Sequence, residues 1–147
     1  MFIRVAQKGD AHQISHLIKS LSHFYLNKPN TDLPSWLTDT LTKSAILKRI
    51  GSDEFSNFVC ESSGEIIGYI AMKGNDYLYH LFVSKMHQGK GISRKLWRYA
   101  TQICVSDVYT LRSSLFAVPV YKKFGFIEVG SAGEKDGIGF QLMTLQV

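Results

Sequence analysis

Apolar residues recur along this chain with two periods. Ile14, Leu17, Ile18 and Leu21 follow helical spacing and predict a helix from about Ala11 to Tyr25, with Gly9-Asp10 at its start and Asp10 as N-cap. Asn27-Lys28-Pro29-Asn30-Thr31-Asp32 is a loop by composition. Trp36, Leu37, Leu41, Ala45, Ile46 and Ile50 predict a second helix, Pro34 to Ile50, with these residues inward. The strongest helical pattern is Gly89 to Val105. Ile92, Leu96, Tyr99, Ala100 and Ile103 line one face and Lys90, Arg94, Lys95 and Arg98 the other. A short helix, Leu115 to Phe124, carries Pro119 near its first turn and ends at Gly125.

Strand patterns mark Phe2–Ala6, Asn57–Glu61, Glu65–Lys73, Tyr77–Val83, Val108–Arg112, Phe126–Val129 and Ile138–Leu145. Ser62-Ser63-Gly64 joins the second and third of these into a hairpin. The order β-α-α-β-β-β-α-β-α-β-β predicts an α/β (α+β) fold with a mixed sheet, built as a single domain of 147 residues, 1–147.

Composition narrows the function. A hydrophobic share of 45% and a charged share of 20% are ordinary for a globular chain with room for a cleft. The net charge of +5 suits an anionic ligand but is too scattered to argue for nucleic acid, so no nucleic-acid partner is expected. Cys60 and Cys104 have no metal spacing and no basic neighbour, so they read as buried small hydrophobes, and no metal is expected. No signal peptide and no apolar run long enough to span a bilayer is evident, which predicts a cytoplasmic protein without a membrane partner.

The most informative stretch is His87-Gln88-Gly89-Lys90-Gly91-Ile92-Ser93-Arg94-Lys95-Leu96, which follows a predicted strand and opens a helix. Two glycines allow close backbone approach. The first helical amides lack intrahelical partners and, with the helix dipole, favour an anion such as a pyrophosphate. Lys90, Arg94, Lys95 and Arg98 add positive charge. The Rossmann pattern fails, because Arg94 stands where its third glycine is needed, and the Walker pattern is absent. A plain strand-to-helix turn is the competing reading.

A second window, Leu111 to Phe126, ends in Tyr121-Lys122-Lys123-Phe124-Gly125-Phe126. Together the two windows resemble the GNAT superfamily of N-acetyltransferases. Gln88-Gly89-Lys90-Gly91-Ile92-Ser93 resembles the family's Q/R-x-x-G-x-G/A coenzyme A turn, and Leu81-Phe82-Val83 looks like the fourth strand that pairs with the pantetheine arm. The resemblance implies a mostly antiparallel sheet of about seven strands flanked by about four helices. It implies acetyl-CoA as cosubstrate, held by Leu81, Phe82, Val83, Gln88, Gly89, Lys90, Gly91, Ile92, Ser93, Arg94 and Ser114. Three departures stand out. Ser93 ends the turn in place of Gly or Ala, Ser114 occupies the position of a frequent Asn, and Tyr77 to Val83 holds no carboxylate to match the frequent glutamate base.

The resemblance further implies direct transfer of an acetyl group to a primary amine, on a small molecule or amino acid, without an acetyl-enzyme. A backbone amide at or near Phe82 would polarise the carbonyl. Tyr121 would be the general acid, since an unperturbed phenol is protonated at neutral pH. His80 is the candidate base, although a lone strand histidine is more often a hydrogen-bonded structural residue; Asp76 and Glu128 are weaker candidates. The acceptor would meet Phe24, Tyr25, Pro29, Asp32 and Trp36, with Tyr77 and Tyr79 facing the same cleft, although Phe24 and Trp36 equally read as core. Few carboxylates in this region argue against a polyamine. Protein N-terminal or lysine acetylation, and a non-catalytic acyl-CoA-binding regulatory module, are the alternatives. A peptide amine is then the acceptor of the first. A homodimer is allowed but no feature demands one.

Overall fold

The computed structural model describes residues 1–21 and 33–147. In chain order the elements are β1 (Phe2–Val5), a 3-10 turn (Lys8–Asp10), α1 (Ala11–Leu21), α2 (Ser35–Thr38), α3 (Lys43–Ile50), β2 (Phe55–Ser62), β3 (Glu65–Lys73), β4 (Tyr77–Val83), a second 3-10 turn (Lys85–His87), α4 (Ile92–Ile103), β5 (Val108–Ser114), α5 (Val118–Lys123), β6 (Ile127–Lys135) and β7 (Ile138–Gln146). The strands form one seven-stranded sheet in the order β1-β2-β3-β4-β5-β7-β6. Every pairing is antiparallel except β4 with β5. The mixed, mostly antiparallel sheet expected from the resemblance is what the chain forms, with five helices among the described residues.

The two faces of the sheet carry separate cores. Ile67, Ile70 and Met72 of β3 pack with Leu96, Trp97 and Ala100 of α4. Tyr69 and Ala71, the alternating residues, pack with Ile14 and Ile18 of α1 and Ile46 of α3. Burial on both faces explains why β3 reads as a nearly unbroken apolar run. At Gly68 the helix comes closest to the sheet, since a Cβ there would lie 2.9 Å from Leu96 Cδ1.

Several expectations give way. Asp10 is not an N-cap of α1: it ends the 3-10 turn that runs directly into the helix, and its carboxylate accepts from Arg4 of β1 at 2.7 and 2.9 Å and from the Gln7 amide at 2.7 Å. The helix predicted over Pro34–Ile50 is two helices, because Thr42 Oγ1 caps a fresh start by accepting from the Ala45 amide at 3.1 Å. Leu41 and Ile46 are buried as expected, but Trp36 is 36% exposed. The left-handed Gly91 (φ +79°) delays α4 to Ile92, and its early end leaves Ile103 exposed while Trp97 takes the core position, stacked at 6° on Phe124. β6 extends to Lys135, well past Val129, because pairing with β7 rather than apolar pattern makes it a strand. Its register shift between Val129 and Gly133 is filled by Gln141 Nε2, which donates to the Val129 and Gly130 carbonyls. The last turn expected for the first helix, and the Asn27–Asp32 loop, lie outside the described residues.

Candidate active site

The site begins with a fault in the sheet. Against β3 the register of β4 passes from Met72↔Leu78 to Ala71↔His80, so Tyr79 is an extra, bulged residue. Against β5, β4 pairs only at Tyr77↔Thr110 and Leu78↔Leu111. Beyond that point the strands part. From Tyr79 to Val83 the β5-facing edge of β4 has no strand beside it among the described residues.

Two cavities open along this gap. One, about 380 Å³, is lined by Tyr77 to Val83 of β4, Arg112 to Ser114 of β5, and residues of α2 and β7. The other, about 440 Å³, runs to the start of α4 and is lined by Leu81, Val83, His87, Gln88, Gly89, Gly91, Ile92, Ser93 and Arg94, with α5 opposite. Leu81, Val83, Gln88, Phe116 and Tyr121 belong to both walls, so the cavities adjoin.

The glycine turn is built as an anion seat. Gly89 and Gly91 both take φ +79°, a left-handed conformation that side chains resist, and a Cβ at either would meet nothing within 4 Å. Lys95 is the first residue whose amide reaches back into the helix, to the Gly91 carbonyl at 3.1 Å. The amides of Ile92, Ser93 and Arg94 are therefore left without intrahelical partners at the cavity wall. Gln88 Nε2 donates to the Val83 carbonyl at 3.1 Å and ties the turn to β4. His87 Nδ1 is buried without a hydrogen-bond partner in the same wall.

Other sequence candidates sit as follows. Lys90 is exposed and not part of the wall. Arg94 donates to the Lys123 carbonyl at 2.9 Å and lies over the Phe124 ring, bridging α4 to α5. Ser114 lines the first cavity, and its Oγ accepts from the Ala117 amide at 3.2 Å, capping the turn into α5. Phe82 is buried against the α1–α3 core yet contributes to the first cavity's wall. Tyr121 is buried where the two cavities meet, and burial raises its phenol well above the ordinary value. His80 lies in the wall of the first cavity with Nε2 unpartnered. Burial, and then the positive Arg49, hold its pKa down to about 3.

Asp76 and Glu128 line neither cavity; Glu128 pairs with Lys122 at 2.6 Å on the surface. Cys60 and Cys104 are buried free thiols, and burial pushes the Cys60 thiol up. Trp36, Tyr77 and Tyr79 line the first cavity as expected, whereas Phe24, Tyr25, Pro29 and Asp32 lie outside the described residues. Among the described residues no group of three or more His, Cys, Asp or Glu gathers as a metal site, and no helix is long and apolar enough to cross a membrane.

Sequence reasoning missed His87, Arg112, Phe116 and Phe140. His87 directly precedes the glycine turn. Arg112 is the one charge on a strand that otherwise alternates buried and exposed neutral residues.

Over residues 26–147 the sequence matches the acetyltransferase (GNAT) domain family, and the chain belongs to that family. Among curated proteins, none matches the chain in sequence. Solved structures share its fold. A GCN5-related N-acetyltransferase from Rhodopseudomonas palustris superposes with TM-score 0.79 at 14% identity, covering 99% of this chain and 95% of that one. The PaiA N-acetyltransferase from Thermoplasma acidophilum, in complex with coenzyme A, gives 0.78 at 18% identity, with 100% of both chains covered. Spermidine N-acetyltransferase from Vibrio cholerae gives 0.69 at 18% identity, covering 99% and 95%.

Proposed function

We propose that the protein is an acetyl-CoA-dependent N-acetyltransferase acting by direct transfer on the primary amine of a small molecule or amino acid, as one domain working in the cytoplasm. The observation that carries this is the adjacency of the two cavities at the gap between β4 and β5, with Tyr121 in the wall of both. One cavity ends on unpaired helix amides and suits a pyrophosphate. The other is largely apolar, with Trp36, Tyr77, Tyr79 and Phe140 in its wall, and suits a second substrate.

The residues fit the cosubstrate. The amides of Ile92 to Arg94, the open turn at Gly89 and Gly91, and His87 would hold the phosphates, and the gap-facing side of β4 at Leu81 and Val83 would hold the pantetheine arm. When bound, acetyl-CoA supplies an activated acetyl thioester. The chain's own work is then threefold. A β4 amide facing the gap, at or near Phe82, steadies charge on the carbonyl oxygen. Tyr121 keeps its proton at neutral pH and donates a hydrogen bond to the leaving sulfur. A thiol ordinarily ionises near about 8.5, below the raised Tyr121, so the phenol holds the developing charge more readily than it surrenders its proton.

His80 works differently from the sequence expectation. Held at about 3, its imidazole stays neutral and is too weak to deprotonate an ammonium ion. Its unpartnered Nε2 can instead accept a hydrogen bond from an amine that has already lost its proton to water, and the second proton, released as the amide forms, passes to the departing thiolate or to water. The absence of Asp and Glu among the described residues of the first cavity weighs against a polycation such as the spermidine of the Vibrio enzyme.

Thermal melts with acetyl-CoA, CoA, NAD and ATP, followed by thiol release over a panel of amines, test this. A ligand at about 100 times its Kd adds about 2.7 kcal/mol. Stabilisation by both CoA species alone, with amine-dependent thiol release, is expected. No shift with either CoA species refutes the proposal.

A further inference from the structure

The cavity that would hold the acceptor has an uneven charge. Its described lining contains no Asp or Glu, and Arg112 is its one charged residue. Arg112 is the first β5 residue past the last β4 pairing, Leu78↔Leu111, so it stands where the gap opens. Its guanidinium carbon lies 3.7 Å from the centroid of the Phe140 ring, a stacked cation–π contact. No Asp or Glu among the described residues forms an ion pair with it. Stacking occupies one face of the fork, while no hydrogen bond to a described residue takes up its N–H edge, which suits a planar, two-oxygen partner.

A second positive group stands behind the wall. Arg49 is 6% exposed, lies 5.3 Å from the Tyr79 ring, and donates to the Thr40 carbonyl at 2.8 Å. Its Nε and Nη2 have no hydrogen-bond partner. Tyr79 and Thr40 both line the cavity, so a guanidinium with no ion pair among the described residues adds to the field at its wall. A cationic amine entering alone meets two like charges. An amine that brings its own anion does not. A volume of about 380 Å³ suits a molecule of amino-acid size, and Trp36, Tyr77, Tyr79 and Phe140 suit an apolar side chain on it.

We infer that the acceptor is an amino-carboxylic acid, its carboxylate gripped edge-on by the stacked guanidinium of Arg112 and its amine turned toward β4 and Tyr121. This rests on the acetyltransferase reading above. Arg112 is thus a specificity residue that selects the acceptor.

Matched pairs test it: L-phenylalanine, L-tryptophan, L-methionine and L-glutamate, each against its α-carboxamide, with acetyl-CoA saturating and thiol release measured. The amide has the lower amine pKa and the larger fraction of free amine, so intrinsic reactivity favours it. The inference predicts the reverse for at least one pair, an acid-to-amide ratio in kcat/KM above about tenfold, the worth of a charge-assisted pair. Arg112→Gln should collapse that ratio toward one, and Arg112→Lys should keep part of it. Acetyl-CoA melts of each variant confirm that the fold and donor site are intact. Amides turned over as well as acids, an acid preference surviving Arg112→Gln, or acetyl-CoA binding without turnover of any acid would each overturn the inference while leaving donor binding standing. No acetyl-CoA stabilisation of the wild-type protein would overturn the acetyltransferase reading itself, and this inference with it.

Discussion

Replacing Gly91 with valine perturbs the turn that opens α4, and the structure supplies its own control. Gly91 and Gly64 both sit at φ +79°, and at neither would a Cβ meet an atom within 4 Å. Gly64 ends the Ser63-Gly64 hairpin turn between β2 and β3, far from either cavity wall. A left-handed backbone costs an L-residue roughly 1–2 kcal/mol, and a β-branched one tends to the upper end. Both variants should therefore lose similar stability, with Tm down by roughly 2–8 °C at about 2–4 °C per kcal/mol. Only Gly91→Val should also lose donor affinity, because its side chain enters the open space in front of the Ile92–Arg94 amides. Loss of one amide-to-phosphate hydrogen bond is worth about 1.5–3 kcal/mol, roughly ten- to hundredfold in Kd. Titration calorimetry with acetyl-CoA on both variants, after melts establish that each is folded, gives the answer. Equal affinities would show that the turn is merely a strand-to-helix connection.

Three further outcomes are expected. Tyr121→Phe should lower kcat far more than acetyl-CoA affinity, and the wild-type kcat should show no alkaline limb near about 10, where an unperturbed phenol ionises; a limb there would place an ordinary phenol in the mechanism. His80 has a folded pKa below its unfolded value of 6.5, so it contributes stability that is present above 6.5 and lost as pH falls toward about 3. His80→Gln should flatten Tm against pH in that window, and an unchanged slope would mean the imidazole is not buried neutral. Gly68→Val should cost about 1–3 kcal/mol by overpacking, since its Cβ would lie 2.9 Å from Leu96 Cδ1 and 3.3 Å from Ile92 Cγ2. Because Ile92 opens α4, acetyl-CoA affinity should fall as well; a melt and a titration at wild-type values would contradict the close packing of α4 on β3.

Local patterns carried most of the fold. The bounds of β3 and β4 are legible residue by residue, because burial on both faces makes β3 apolar and aromatics crowd β4. The glycine turn is legible because positive φ demands glycine at Gly89 and Gly91. What is hidden depends on pairing. The bulge at Tyr79 and the parting of β4 from β5 leave no trace in spacing, yet they create the gap. His80 looks like an ordinary histidine until burial, and then the positive Arg49 of α3, disfavour its charged form. Arg112 is exposed, as its strand pattern suggests, and spacing gives no sign that β7 brings Phe140 against it. Leu37 and Leu41 keep helical spacing across a real break, which is why one helix was expected where Thr42 starts another.

A sheet that opens in its middle carries strand edges inside its own outline. From Tyr79 to Val83, β4 carries aromatic and aliphatic side chains around His80 and has no strand on its β5-facing side among the described residues, the setting in which one chain recruits a strand from another. Natural sheets usually blunt such edges with charge or proline; this one has neither along the stretch. Solubility is thereby coupled to the donor site. Free protein held concentrated is prone to edge-to-edge association, and a ligand lying along β4 acts as a removable guard on that edge as well as a reactant.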